Sequence, residues 1–169
     1  MIFDKLKILG YRSKIRLNRF FRYFSNPNFD YKQSRYFLKE YSIDKKNVFF
    51  GYYDLNPFNK KNLILACVNS TNSQKMEVGY FDLNSTNNKF IKISETKTWC
   101  WQMGCRLQWY KGTDHLIFFN DFSNGRYISR IFNIETNNDE KVLDSPLFCL
   151  SKGGEFGLSL NFLRLEKLR

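Results

Sequence analysis

A chain of 169 residues, 43% hydrophobic and 18% aromatic, is long enough for one domain with a real core and too short for two comfortable ones. Eighteen Phe and ten Tyr against nine Gly and three Pro exclude a disordered or collagen-like chain. A mean hydropathy of -0.49, with no long charge-free apolar run, excludes a conventional transmembrane helix.

The formal charge of +11 is unevenly spread. Residues 1–25 hold Lys5, Lys7, Arg12, Lys14, Arg16, Arg19 and Arg22 against Asp4 alone, so this leader carries more than half of the net charge. The rest of the chain is ordinarily charged, and nucleic acid is not an expected partner. Within the leader, Leu17, Phe20, Phe21 and Phe24 fall on one helical face, with Arg16, Arg19 and Arg22 largely opposite. A short basic amphipathic helix is predicted. Its seven basic residues are candidates for contact with an anionic membrane surface, and docking of the aromatic face on the rest of the protein is the competing reading. Charges interrupt every apolar stretch, so the leader is not a secretory signal. After Asn26-Pro27-Asn28 a polar, aromatic connector runs over 26–47.

From Val48 onward, short apolar runs alternate with turn formers. The runs are 48–53, 63–68, 77–82, 89–93, 105–109, 116–119, 127–134, 141–143, 147–150 and 156–160, ten strands with no good helix among them. They also repeat. Leu63-Ile64-Leu65-Ala66 recurs as Leu116-Ile117-Phe118-Phe119, Tyr80 to Asn84 recurs as Ile131 to Glu135, and Ile117 to Asp121 recurs as Leu158 to Phe162. Repeats of roughly 40 to 50 residues with four strands each predict β-propeller blades. The fold class expected is all-β: a partial β-propeller of about two and a half four-stranded blades, at 48–93, 99–143 and 147–169. A propeller cut at that point leaves open apolar faces and an unpaired edge. The sequence therefore reads as a truncated member of its kind, with self-association through the open edges as one way to cover them.

Cysteines offer little chemistry. Cys67, Cys100, Cys105 and Cys149 form no Cys-x-x-Cys pair, and with the single histidine His115 they make no zinc site of standard spacing. Three of them sit in apolar or aromatic runs, where buried free thiols in a reducing cytosol are expected, with disulfides among the four as the alternative; His115 reads as a solvated turn residue. No metal, cofactor-binding motif, Ser/His/Asp triad or phosphate-cradling loop is legible.

Four strings carry a resemblance: FFGYYDLNPF (49–58), TWCWQMGCRLQW (98–109), FFNDFSNGRYISRIFNIET (118–136) and LSKGGEFGLSLNFLRLEKLR (150–169). Over about its last 120 residues the chain resembles the N-terminal part of an uncharacterised bacterial β-propeller family found with surface-polysaccharide biosynthesis genes, distantly similar to oligogalacturonate lyase and Tol-type propellers. The aromatic-Trp-Gln-x-Gly-x-x-Leu-Gln-Trp string around Trp101 is its most specific part. Family members run on for several more blades. The lyase's metal-binding and catalytic histidines lie in those later blades, so none transfers to this sequence.

The resemblance implies a carbohydrate-binding or carbohydrate-modifying component of surface-glycan synthesis, and the basic leader without a signal peptide reads as cytoplasmic or peripheral to the inner membrane. Propeller ligands sit at the central channel or its mouth. There Tyr52, Tyr53 and Asp54 would form an innermost segment, with Gly51 allowing close backbone approach. Trp99, Trp101 and Gln102 suit a mouth, because sugars stack their C–H faces on indoles and are fixed by amide and carboxylate hydrogen bonds. Asn120, Asp121 and Arg126, with Asn161 and Arg164 at the equivalent place of the third repeat, would make a second polar rim. Its arginines would hold the carboxylate of an acidic oligosaccharide bidentately. Against this stand a non-catalytic, membrane-peripheral scaffold for a protein partner and an inactive gene remnant.

Overall fold

The structure, a computed structural model, describes residues 40–70, 73–87 and 89–168. The leader helix, its seven basic candidates and the connector as far as residue 39 lie outside the described residues. What is described is mostly β. The first sheet runs β1(Lys46–Phe49), β2(Leu63–Ser70), β3(Met76–Asp82) and β4(Phe90–Thr96) in sequence order, every pair antiparallel. The second repeats that plan with β5(Gln108–Trp109), β6(Leu116–Ser123), β7(Arg126–Asn133) and β8(Asn138–Leu143). A two-stranded sheet of β9(Cys149–Leu150) and β10(Gly157–Leu158) follows, then the helix α1(Phe162–Lys167).

Alternation decides which faces meet. Leu65 and Cys67 on β2 and Met76 and Val78 on β3 form one row; Ile117 and Phe119 on β6 form another, joined by Cys105 and Leu107. All eight are at most 1% exposed and pack into one core between the sheets. Burying each large side chain contributes roughly 1.5–3 kcal/mol relative to leaving it in water. Burial pushes the Cys105 thiol well up, and the Cys67 thiol beside it adds to the effect, so the thiol form is the stable one. All four cysteines are free thiols, Cys67 and Cys105 buried and Cys100 and Cys149 half-buried. Polar ties reinforce the contact: Trp109 Nε1 donates to the Pro57 carbonyl at 2.8 Å, and Lys60 N donates to Asp114 Oδ1 at 3.1 Å.

The opposite face of the second sheet carries Phe118, Asn120, Ser129 and Ile131, and chain 145–148 lies on it. At the free edge, β8 is almost wholly exposed and reads Asn-Asp-Glu-Lys-Val-Leu, a charged composition that discourages further pairing.

Four local expectations are corrected. The run 48–53 is not all strand: β1 ends at Phe49, and Leu55 N closes a turn onto the Tyr52 carbonyl at 3.2 Å. The strand expected at 105–109 shortens to two residues, because Gly104 (φ 57°) and Arg106 (φ 62°) are left-handed, which no strand accommodates. The strand expected at 156–160 shortens to Gly157–Leu158, and the chain 158–162 does not repeat Ile117 to Asp121. It enters α1 instead. Asn161 Oδ1 accepts from Arg164 N at 2.9 Å, an N-cap, ahead of the good helix formers Leu163, Arg164, Leu165, Glu166 and Lys167. Finally, His115 sits in the bend before β6, as expected of a turn residue, but is half-buried rather than fully exposed.

Candidate functional site

Two loops converge at one end of the sheets. The chain 50–54 leaves β1 and presses on the loop 100–104; a Cβ at Gly51 would lie 3.0 Å from the Met103 carbonyl, which is why a bare backbone is needed there. The second loop is closed by a pair of hydrogen bonds between Cys100 and Gly104, at 3.2 and 2.8 Å. Its tip holds Trp101 and Gln102 out into solvent.

Aromatic residues brace the tip. Trp101 is 59% exposed, yet its ring stands edge-on to Trp99 at 4.9 Å and lies 5.2 Å from Phe49. Trp99 is fixed in turn by its Nε1, which donates to the Gln74 carbonyl at 2.9 Å. On the companion loop Tyr53 is 86% exposed and its ring sits 4.2 Å from that of Tyr52. Phe49, Trp99 and Trp101 thus form an aromatic ledge, and Tyr52 with Tyr53 a separate exposed pair on the companion loop.

Asp54 follows Tyr53 in the companion loop but is not free. Its two carboxylate oxygens accept from both terminal nitrogens of Arg106, at 3.3 and 2.8 Å. That hydrogen bonding is the main reason its carboxyl lies below the usual aspartate range, against a smaller opposing effect of desolvation. Arg106 is buried, in a left-handed conformation, with its guanidinium 5.2 Å above the Phe148 ring. The sequence reading missed this residue. Its signal was there: one arginine between Cys105 and Leu107 in an apolar run must be paired if it folds inward.

Behind the ledge opens a cleft of about 220 Å³, whose walls include Thr98, Trp99, Arg106, Tyr127, Phe148 and Phe162. Tyr127 donates to Glu166 Oε2 of α1 at 2.9 Å. Two of the lining residues each carry a polar atom, Arg106 Nε and Thr98 Oγ1, that is buried without a hydrogen-bond partner among the described residues. Each such group costs about 1–3 kcal/mol.

Of the residues expected at the site, Tyr52, Tyr53, Asp54, Trp99, Trp101 and Gln102 are therefore brought to these two converging loops. The second rim is not assembled. Asn120 lines the cleft, but its carboxamide is taken up by Leu147 N and O and by Ser129 Oγ, at 2.8–3.0 Å. Asp121 is 7% exposed and accepts from Arg130 Nε at 2.7 Å and from Phe122 N at 2.8 Å. Arg126 faces the exposed Asp144 at 3.5 Å, Asn161 caps α1, and Arg164 is exposed on that helix. None of these last three lines the cleft. Asp54 and Asp121 are each held by their own arginine, so neither is a ready general acid or base. Among the described residues no cluster of His, Cys, Asp and Glu could hold a metal ion, and no helix is long and apolar enough to cross a membrane.

No family model matches the chain, and no curated protein or solved structure shows significant similarity to it.

Proposed function

We propose that residues 48–169 are part of a β-propeller that binds carbohydrate on the Trp101 ledge, as a component of bacterial surface-polysaccharide synthesis peripheral to the inner membrane. Two consecutive four-stranded antiparallel sheets packed face to face, with a further pair of strands after them, support the propeller reading. The carbohydrate reading is carried by Trp101. An indole held in water by Trp99 and Phe49 offers an apolar face to sugar C–H groups without needing to be ordered first. Gln102 next to it, and the half-exposed Asp54 carboxylate on the companion loop, supply the few polar groups such a site needs.

Acidic and neutral oligosaccharides are the ligands to titrate. Trp101→Ala should weaken binding about tenfold, with little loss of stability because most of the ring is in water. Equal binding by the variant, or none by either protein, removes the proposal.

A second reading has its own observation. Phe156 (78% exposed), Leu158, Leu163 and Leu168 (74%) put a run of apolar surface at 156–168, as a scaffold for a protein partner or a second copy would. Sedimentation across a concentration series separates the two copies from one. A chain that stays monomeric and binds sugar favours the carbohydrate site.

A further inference from the structure

We propose that the cleft behind Trp101 holds the acetamido group of an N-acetylated sugar, fixed by Arg106 Nε and Thr98 Oγ1; this rests on the carbohydrate reading of the ledge. Arg106 is 3% exposed and Thr98 6%, both line the cleft, and neither of the two atoms has a partner among the described residues. Folded proteins keep few such groups, and those they keep call for an explanation. Asp54 occupies the two terminal nitrogens of the guanidinium and leaves the Nε–H unused.

The chemistry of the two atoms selects the ligand. Nε–H can only donate, whereas a hydroxyl can donate or accept. A secondary amide answers both: its carbonyl accepts from Arg106 Nε, and its N–H donates to Thr98 Oγ1. Charge disfavours an anion here. Asp54 neutralises Arg106 at 2.8 Å, and Glu166 offsets Lys97 across the lining, so the cleft has no net charge to attract a carboxylate. The methyl end of an acetamido group would meet Trp99, Phe148 and Met103. A volume of about 220 Å³ falls below that of sites for drug-sized ligands and suits one ring or one substituent. Neither polar atom is open to bulk water, so the entering group must move a neighbour aside. Met103, with its adaptable thioether chain, lines the same wall.

The test is calorimetric titration of the full chain with diacetylchitobiose, cellobiose and glucuronate, repeated for Thr98→Val and Trp101→Ala. Thr98→Val keeps the shape and removes an unpartnered hydroxyl, so the melting temperature should hold or rise. Diacetylchitobiose should bind best and lose about tenfold in Thr98→Val, while cellobiose is unaffected by that change. Trp101→Ala should weaken both disaccharides. Equal binding of the two disaccharides, with only Trp101→Ala having an effect, overturns the acetamido proposal and leaves the ledge standing. Preference for glucuronate overturns it in favour of an anion. Loss in Thr98→Val with no effect of Trp101→Ala keeps the cleft and removes the ledge. No binding of any probe removes both.

Discussion

Cys67 lies opposite Val78 in the first sheet; at the equivalent rung of the second, Asn120 lies opposite Ser129. Each pair faces the segment that follows its sheet. Cys67 and Val78 meet Cys105 in an apolar contact, with Gly104 close by. Asn120 and Ser129 instead meet chain 145–147 and hydrogen-bond to the backbone of Ser145 and Leu147. The difference follows from what arrives. The chain at 104–106 closes its own hydrogen bonds through the Cys100–Gly104 loop and through Asn120 N, which donates to the Cys105 carbonyl at 2.9 Å. The chain at 145–147 has lost its strand partner after β8, so the sheet must supply donors and acceptors. One strand register thus carries two kinds of adhesion, one by apolar volume and one by backbone capture.

The strongest way to break this comparison is Asn120→Leu. It keeps side-chain size but takes the Asn120 amide from the Leu147 carbonyl, while Leu147 N keeps Ser129 Oγ and Ser129 Oγ keeps the Ser145 carbonyl, so the cost should be about 2 kcal/mol. Cys67→Ala at the matching rung should cost about 1 kcal/mol, for the loss of one buried atom. Urea midpoints of the two variants check this. Similar losses would mean that both rungs work by volume alone.

A second difference lies at the loops. The first sheet hands its chain to Asp54, and the second receives it at Arg106, so one ion pair bridges the two. Asp54→Ala leaves the buried guanidinium without its carboxylate. The cost at neutral pH should be about 2 kcal/mol, below that of a fully buried pair because the Asp54 side chain is 44% exposed. The pH dependence has a definite sign. The folded pKa of Asp54 is depressed, so its stabilisation is complete above the ordinary value of 3.8 and fades as pH falls through the lower folded value. Wild type and variant should therefore converge in strong acid. A gap that stays constant down to about pH 2 would assign the effect to packing rather than charge.

These two tests also mark what the residues made legible. Strand count and the grouping into four-stranded antiparallel sheets follow from apolar runs at even spacing, since alternation and turn formers are local signals. Trp99 and Trp101 could be read as aromatic residues of one string between strands, but not which of them would pack and which would face water. The Asn120 role was not legible, because its partners, Ser129 aside, are backbone groups at Leu147, 27 residues away. Arg106 escaped for a related reason: its left-handed φ breaks the strand period on which the reading relied. The α1 helix was hidden by a similarity between Leu158 to Phe162 and a true strand, which the Asn161 cap and the helix formers after it override.

The smallest effect should come from the charges on the sheet surfaces. On the first sheet Glu77, Lys92, Glu95 and Lys75 form a chain of exposed ion pairs with Lys46. Lys92 first, and Lys75 second, draw the Glu95 carboxyl down to about 2. Its contribution is present above the ordinary value of 4.5 and is lost as pH falls toward 2. On the second sheet Arg130 lies between Asp121 and Asp139, with Arg130 and Asp121 side chains only 24% and 10% exposed. Salt screens exposed charges far more than covered ones. Adding salt should therefore abolish the small stability difference between wild type and Glu95→Gln, while the larger loss in Asp121→Asn persists. If salt removed both differences alike, the Asp121–Arg130 pair would be behaving as a solvated surface bridge. The second sheet would then owe its polar adhesion to Asn120 and Ser129 alone.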